Sequence, residues 1–293
     1  MSMFIGTGVA MVTPFLENGS VDYNALEKTI EHLISGKVEY IVVMGTTAES
    51  ATLTSEEKKD IFEFTAKVTN SRVPLMAGIG GNNTAETVKA VSKFDLDGYN
   101  AILSVVPYYN KPNQEGIYQH YKAVAEASKL PIILYNVPGR TGVTMSAETT
   151  LRLAKNVKNI LGVKEASGNF DIFNEIAAHK PKEFLLISGD DPVTLPMISL
   201  GAVGVISVIG NAVPAQLSTM VRNCLAGDFK SAHQTHFNLL EFTRLCFIEG
   251  NPAGVKAGMK TLGICQDNLR LPLVKVSEVT HSKIESEIKK IIA

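Results

Sequence analysis

The chain has 293 residues, 45% of them hydrophobic, and its 28 basic and 29 acidic residues leave a formal net charge of −1. This balance predicts no nucleic-acid partner and no attraction to an anionic membrane, because both require an excess of basic side chains. The length is sufficient for one large barrel or for two smaller domains.

The three cysteines, Cys224, Cys246 and Cys265, lie far apart and form no C-x-x-C pair, which argues against a disulfide framework or a thiolate zinc site. The first fifteen residues lack the pattern of a signal peptide, and the longest apolar runs are too short to span a bilayer. We therefore expect a cytoplasmic protein without a membrane segment.

Short apolar runs rich in β-branched residues recur along the chain and end in Gly, Pro or polar residues, as buried parallel strands do. They span residues 8–15, 40–45, 73–80, 101–107, 131–138, 160–167, 184–190 and 204–211. Segments with helical spacing lie between them, at 22–34, 117–127, 149–154, 172–178 and 214–225. A further helix is predicted to begin after Thr54, because Thr54 and Glu57 have the spacing of a capping box.

Eight strand–helix alternations predict parallel strands, arranged either as a doubly wound sheet or as a closed barrel. The even repeats favour a (β/α)₈ TIM barrel, predicted over residues 1–225. The glycine-rich stretches at residues 6–11 and 78–83 do not match a dinucleotide fingerprint. Residues 226–293 predict three helices without a strand, at 229–248, 252–262 and 277–292, which we interpret as a C-terminal helical domain packed on the barrel.

Lys164 is the only lysine within the eight predicted strands. A lone ammonium inside an apolar barrel is unfavourable unless it is paired or neutral, and a neutral amine can attack a carbonyl carbon. Two interpretations remain open: a Schiff-base lysine, or a buried lysine paired with Glu165 or another carboxylate.

Other candidate side chains follow the strands at the end where barrel enzymes build their active sites. Tyr135 is either a proton relay or a core tyrosine bonded to a carbonyl. The turn at 45–47 offers N–H groups and hydroxyls to a carboxylate, although such turns are also common without function. Arg140 can bind a carboxylate or form a surface ion pair.

Several other groups of polar residues are not expected to form a catalytic or metal site. His233 and His236 are predicted to lie on a solvated helix face. Asp190 and Asp191 follow the seventh predicted strand and are interpreted as caps of the next helix. No common metalloprotease or phosphate-binding motif appears, so carbonyl activation is assigned to the lysine rather than to a metal.

Eight motifs, in order along nearly the whole chain, resemble the dihydrodipicolinate synthase family. They are GTTAES (45–50), PYYNKP (107–112), YNVPGRTG (135–142), GVKEASG (162–168), SGDD (188–191), GVISVIGN (204–211), NPAGVK (251–256) and LRLPL (269–273). The resemblance implies a class I aldolase-type lyase of lysine biosynthesis that condenses pyruvate with L-aspartate 4-semialdehyde and uses neither a metal nor an organic cofactor.

The resemblance also implies roles for individual residues. Lys164 would form the Schiff base, and Tyr135 would relay protons through hydrogen bonds to Thr47 and Tyr109. Tyr109 would reach the site of a neighbouring subunit, within a homotetramer or a dimer. The remaining implied substrate contacts are Thr46 and Thr47 with the pyruvate carboxylate, Arg140 with the aldehyde's carboxylate, and the backbone of Gly189 and Ile206 near the lysine.

The sequence departs from the family pattern at three positions. Ala48 stands where the family usually has glycine. Ser55 and Lys58 stand where many lysine-inhibited members have histidines, so we expect weak or absent feedback inhibition. The other positions of that implied allosteric site match the pattern: Ser50, Ala51, Asn82, Glu86 and Tyr108.

Two alternative functions are left open. The first is an N-acetylneuraminate lyase or 2-keto-3-deoxy sugar acid aldolase of the same superfamily. Arg140 and the Thr46–Thr47 pair favour the synthase over it, because a small acidic aldehyde needs a cation. The second is a catalytically silent barrel that acts as a binding protein.

Overall fold

The computed structural model describes residues 3–292 and shows a closed barrel of eight parallel strands, which confirms the predicted fold class. The strands are β1 Gly6–Ala10, β2 Tyr40–Val43, β3 Leu75–Gly78, β4 Ala101–Val105, β5 Ile132–Asn136, β6 Ile160–Glu165, β7 Leu185–Ser188 and β8 Gly204–Ser207. Each strand pairs with the next, and β8 closes the barrel against β1.

Helices connect the strands and continue beyond the last one. They are α1 Tyr23–Ser35, α2 Ser55–Thr69, α3 Thr84–Lys93, α4 Gln114–Ala127, α5 Pro138–Thr141, α6 Ala147–Asn156, α7 Phe170–His179, α8 Thr194–Ser199, α9 Pro214–Leu225, α10 Phe229–Ile248, α11 Ala253–Thr261 and α12 Glu278–Ile292. Of the helices in residues 3–292, none is both long and apolar enough to cross a membrane.

The closure between β1 and β8 depends on glycine. Gly204 pairs with Gly6 and has a φ of +150°, a backbone conformation that L side chains rarely adopt. A Cβ at Gly204 would lie 1.9 Å from the carbonyl oxygen of Gly6. Only a residue without a side chain allows the first and last strands to approach this closely.

Local sequence patterns predicted some boundaries of the helices and strands correctly and others incorrectly. The capping box is confirmed, because the Thr54 hydroxyl accepts from the Glu57 N–H and the Glu57 carboxylate accepts from the Thr54 N–H. The first strand was predicted too late, at residues 8–15. It begins at Gly6 and ends at Ala10, and the following residues are buried without being part of the strand.

Two apolar clusters divide the core. Side chains alternate between the two faces of each strand, so one set fills the barrel and the other packs under the helices. The inner cluster includes Tyr40, Met76, Ile133, Tyr135 and Ile187. The larger cluster joins the outer strand faces to the surrounding helices and continues into α10, α11 and α12.

The predicted C-terminal helical region is present as α10, α11 and α12. Helix α10 packs along α9, and α12 packs against both α10 and α11. The division of the chain into a barrel domain over 1–225 and a helical domain over 226–293 remains a prediction.

Candidate active site

Lys164 lies inside the barrel near the C-terminal end of β6. It is 4% exposed and pairs in register with Tyr135 on β5 and with Ile187 on β7, both of which belong to the inner cluster. Its Nζ lies 4.3 Å from the centroid of the Tyr135 ring, within cation–π distance. The strand alternation therefore brings an amine and a phenol together in the barrel interior.

Glu165 is not the partner of Lys164. As the next residue on the strand it faces the opposite side, where its carboxylate accepts from the Ser167 N–H at 2.7 Å and from Asn136 Nδ2 at 2.9 Å. Burial raises the pKa of this carboxyl group. Within residues 3–292 no carboxylate forms an ion pair with Lys164, which contradicts the interpretation of a paired core lysine.

The Tyr135 hydroxyl also differs from the hydroxyls of three other buried tyrosines. Tyr40, Tyr99 and Tyr121 each donate a hydrogen bond to a backbone carbonyl, at 3.3, 3.0 and 2.9 Å respectively. In the described part of the chain the Tyr135 hydroxyl has no such carbonyl partner, although the residue is only 7% exposed. The interpretation of Tyr135 as a carbonyl-bonded core tyrosine is therefore wrong.

Gly189, the first residue after β7, lies beside the Lys164 side chain, and Ile206 lies on β8. A Cβ at Gly189 would lie 3.0 Å from Lys164 Cε and 2.6 Å from the Ala166 Cβ, so a side chain there would crowd the lysine. Ile206 is buried in β8 and shares the inner cluster with Tyr135. Gly189 therefore leaves room for the lysine stem, and Ile206 is part of the apolar interior of the barrel.

Asp190 and Asp191 do not act as helix caps, contrary to the sequence interpretation. Asp190 makes no capping hydrogen bond with its side chain. The Asp191 carboxylate instead accepts from the N–H groups of Val208 and Ile209, at 2.9 and 3.2 Å, beyond the end of β8. Burial raises the pKa of both carboxyl groups, that of Asp190 to about 6, while the charge of Lys164 acts in the opposite direction.

The turn after β2 forms a short 3₁₀ helix, Thr46–Ala48. Thr47 is buried, and its Oγ1 accepts a hydrogen bond from Asn251 Nδ2 at 3.0 Å. The left-handed conformation falls on Glu49, with a φ of 55°, and not on Ala48, so the methyl group of Ala48 causes no backbone strain.

A buried ion pair anchors this turn to the C-terminal region. Lys256 Nζ lies 2.5 Å from Glu49 Oε1, and both side chains are fully buried. The other Glu49 oxygen accepts from the Arg270 N–H at 3.0 Å, and Lys256 also donates to the Asn268 carbonyl at 2.9 Å. These contacts of Glu49 were not predicted from the sequence, because Lys256 and Arg270 are 207 and 221 residues away from it.

Replacing Lys256 with Met should lower the free energy of unfolding by about 3–5 kcal/mol, because it leaves the Glu49 carboxylate buried without its cation. Urea unfolding followed by circular dichroism measures this change. A matched Lys59→Met variant, which breaks an exposed pair with Glu63, should have little effect. Equal, small losses in both variants would show that the Glu49–Lys256 pair does not stabilise the fold.

Tyr109 and Arg140 lie at the surface rather than beside Lys164. Tyr109 is 87% exposed with a φ of +76°, and no hydrogen bond within the described chain joins Tyr135 to Tyr109 or to Thr47. Arg140 is exposed in α5, and it takes part in none of the ion pairs found between residues 3 and 292. Its guanidinium is therefore available to an anion.

A cavity of about 450 Å³ opens beside the barrel mouth. It reaches Thr46 and Tyr135 at one end, and Lys164 is not among its lining residues. Its walls also contain five of the residues considered for an allosteric site: Ser50, Asn82, Glu86, Ser55 and Lys58. Ala51 and Tyr108 do not line it. Burial lowers the pKa of Lys58.

Similarity to known proteins extends over almost the entire chain. Residues 3–291 match the Dihydrodipicolinate synthetase family. A 4-hydroxy-tetrahydrodipicolinate synthase of Parabacteroides distasonis is 52% identical over 286 residues, which cover 98% of this chain and 96% of the relative.

Solved structures agree with this sequence similarity. The crystal structure of a dihydrodipicolinate synthase from Aquifex aeolicus is 43% identical and superposes with a TM-score of 0.94, covering 98% of both chains. A dihydrodipicolinate synthase from Acinetobacter baumannii, described as complexed with pyruvate, is 39% identical, with a TM-score of 0.94 and 98% coverage of both chains. By sequence and by fold, the chain belongs to the dihydrodipicolinate synthetase family.

Proposed function

We propose that this protein is a 4-hydroxy-tetrahydrodipicolinate synthase, a class I aldolase-type lyase of the diaminopimelate route to lysine. It would condense pyruvate with L-aspartate 4-semialdehyde through a Schiff base on Lys164. The observation that carries the proposal is the buried amine of Lys164, which has no carboxylate partner in residues 3–292 and lies 4.3 Å from the Tyr135 ring. Relatives with this function share about half of the residues.

The first half of the reaction activates pyruvate. The neutral Lys164 amine attacks the ketone carbon, and the resulting carbinolamine loses water to form a protonated imine. Loss of one methyl proton then places the electron pair in an enamine, with the imine nitrogen as the electron sink. Tyr135 is the proposed proton relay, because its hydroxyl forms no hydrogen bond within residues 3–292 and its ring lies 4.3 Å from Lys164 Nζ.

The second half forms the carbon–carbon bond and the ring. The enamine carbon attacks the aldehyde of aspartate semialdehyde, and the aldehyde oxygen gains a proton. The amino group of the same substrate then adds to the imine carbon and displaces Lys164 as the free amine. The lysine supplies the electron sink throughout, so the proposal requires neither a metal nor an organic cofactor.

Fixed donors would bind the two anionic substrates. Thr46 and Thr47, in the turn that is anchored by Glu49, are proposed to hold the pyruvate carboxylate. Arg140 is proposed to receive the carboxylate of the aldehyde, since its guanidinium is exposed and forms no ion pair within residues 3–292. Gly189 and Ile206 would line the pocket around the imine.

An Arg140→Ala variant should raise KM for aspartate 4-semialdehyde about 10- to 100-fold, the equivalent of losing a charged hydrogen bond. Formation of the pyruvate adduct should remain normal, because Arg140 acts only on the second substrate. Steady-state kinetics with each substrate varied in turn measures both effects. The control is Arg152→Ala, which removes an exposed arginine paired with Glu115 on the outer surface. A rise in KM for pyruvate alone would contradict the assignment.

A direct assay distinguishes the proposed reaction from its alternatives. Purified protein is supplied with pyruvate and aspartate 4-semialdehyde, with N-acetylneuraminate, or with 2-keto-3-deoxy sugar acids. We expect turnover only with the first pair. Cleavage of a sugar acid would instead establish the aldolase alternative, and the absence of any turnover would favour a silent binding protein.

We further propose that the protein acts in the cytoplasm as a homo-oligomer, either a homotetramer built as a dimer of dimers or a dimer. The support for the oligomer is Tyr109, which is 87% exposed and forms no hydrogen bond with Tyr135 within the described residues of its own chain. A partner chain would cover this tyrosine and receive it beside its own Tyr135. The three cysteines are buried and free, which suits a reducing compartment.

Lysine should inhibit the protein only weakly. Lys58 lines the cavity together with Glu86, and its ammonium would repel the ammonium groups of the amino acid. Effective allosteric coupling changes an affinity about 5- to 150-fold, and we expect lysine to change the apparent pyruvate affinity less than about fivefold. Initial rates across a lysine titration test this. Strong inhibition at low lysine concentration would refute the role given to Lys58.

A further inference from the structure

We infer that Asn251, in the C-terminal helical region, is a positioning residue that directs the hydroxyl proton of Thr47 toward the substrate. The inference rests on the proposed function, since Thr47 is one of the two residues proposed to bind the pyruvate carboxylate. It gives the NPAGVK segment, in which Lys256 already anchors the turn after β2, a part in the active site of the barrel.

The contact between the two residues is direct and buried. Asn251 lies just before α11 and is 5% exposed, and its Nδ2 donates to Thr47 Oγ1 at 3.0 Å. Two hundred and four residues separate them along the chain. The Glu49–Lys256 ion pair, five residues beyond Asn251 and two beyond Thr47, holds the same two segments together.

The direction of this hydrogen bond determines what Thr47 can do. A hydroxyl carries one hydrogen and two lone pairs, and the amide N–H of Asn251 occupies one lone pair. Asn251 Nδ2 cannot accept the Thr47 proton, and no other acceptor within residues 3–292 receives it. The proton is therefore available to an acceptor that a ligand brings, and a carboxylate oxygen is such an acceptor. A donor oriented before binding contributes more to affinity than one that must be ordered.

The Asn251 amide has an alternative orientation, in which its oxygen and not its nitrogen faces Thr47. Its Oδ1 is buried and has no hydrogen-bond partner in the described residues. If the amide were rotated, Oδ1 would accept the Thr47 proton, and Thr47 would have nothing left to donate to a carboxylate. The two orientations of the amide therefore predict opposite effects of replacing Asn251 with a side chain that can only accept a hydrogen bond.

Two substitutions of similar shape separate these cases. Asn251→Leu removes the hydrogen bond without adding charge and should raise KM for pyruvate about 2- to 10-fold, as the loss of one neutral hydrogen bond does. Asn251→Asp can only accept, so it should withdraw the Thr47 proton and raise KM further. In both variants kcat at saturating pyruvate should change less than KM. Asn251→Ala provides the same comparison if either variant fails to fold.

Each substitution is repeated in a Thr47→Val background, which isolates the part of the effect that acts through the hydroxyl. We expect no further rise in KM with Asn251→Leu there, and only the residual charge repulsion with Asn251→Asp. The matched control is Asn268→Leu, which removes an amide hydrogen bond to the Phe15 carbonyl in the same C-terminal region. Its KM for pyruvate should be that of the wild type.

Two results would overturn the inference. One is a rise in KM with Asn251→Leu that is equal in the Thr47 and Thr47→Val backgrounds, which would indicate a general structural role. The other is a wild-type KM in Asn251→Asp, which would show that the amide normally accepts. Failure of the proposed function has a different signature, because the wild-type protein itself would then give neither turnover nor a pyruvate adduct.

Discussion

The Lys164→Ala variant is expected to lose turnover by about 10⁴- to 10⁶-fold, the range found when a covalent catalyst loses a member of its nucleophilic unit. Without the amine no imine forms, and pyruvate has no electron sink for loss of its methyl proton. Initial rates of the condensation measure the loss. The fold should persist, because the substitution removes a buried amino group that forms no ion pair with a carboxylate in the described residues.

The control for this variant is Lys158→Ala, which removes an exposed lysine six positions earlier, just before β6. It should have wild-type turnover. Circular dichroism of both variants establishes that each remains folded. Turnover of Lys164→Ala within about tenfold of the wild type would rule out a covalent role for the lysine, since Schiff-base catalysis contributes far more than that.

Tyr135→Phe should reduce kcat by about 10²- to 10⁴-fold, the usual contribution of a positioned proton-transfer group. The ring remains, so its packing against the Lys164 amine and in the inner cluster is retained. Only the hydroxyl is removed, and with it the proposed route for protons to and from the carbinolamine and the enamine. Formation of the imine itself should slow as well, because loss of water from the carbinolamine needs a proton donor.

Tyr121→Phe is the matched control for this experiment. Tyr121 is a fully buried tyrosine whose hydroxyl donates to the Ser104 carbonyl at 2.9 Å. Its loss should lower the free energy of unfolding by about 1 kcal/mol and leave kcat unchanged. If Tyr135→Phe shows this same pattern, with a small loss of stability and normal turnover, then Tyr135 is a structural residue and not a relay.

The barrel could be predicted because its signals are local. Eight apolar runs of regular spacing indicated eight strands, and the boundaries of α9 and α10 were predicted to the residue. The first strand was placed too late because residues 11–15 are buried and mostly apolar without being part of the strand. Helices α5 and α8 have four and six residues, too few to show a helical period.

The centre of the site could also be predicted, because strand alternation alone places Lys164 and Tyr135 on the inner face of neighbouring strands. Asn251 and the Glu49–Lys256 pair could not be, since their contacts with the turn after β2 span more than two hundred residues. The predicted contact between Tyr109 and Tyr135 is not seen for another reason. It involves a second chain, and within one chain Tyr109 lies in solvent.

The most direct test of the account is reduction of the wild-type protein with borohydride in the presence of pyruvate, followed by proteolysis and peptide mass mapping. Reduction converts an imine into a stable secondary amine, so it marks the lysine that carried the substrate. We predict a single pyruvate-derived adduct, on the peptide that contains Lys164. An unmodified Lys164, whether the label is absent or lies on another lysine, would contradict a Schiff base on Lys164.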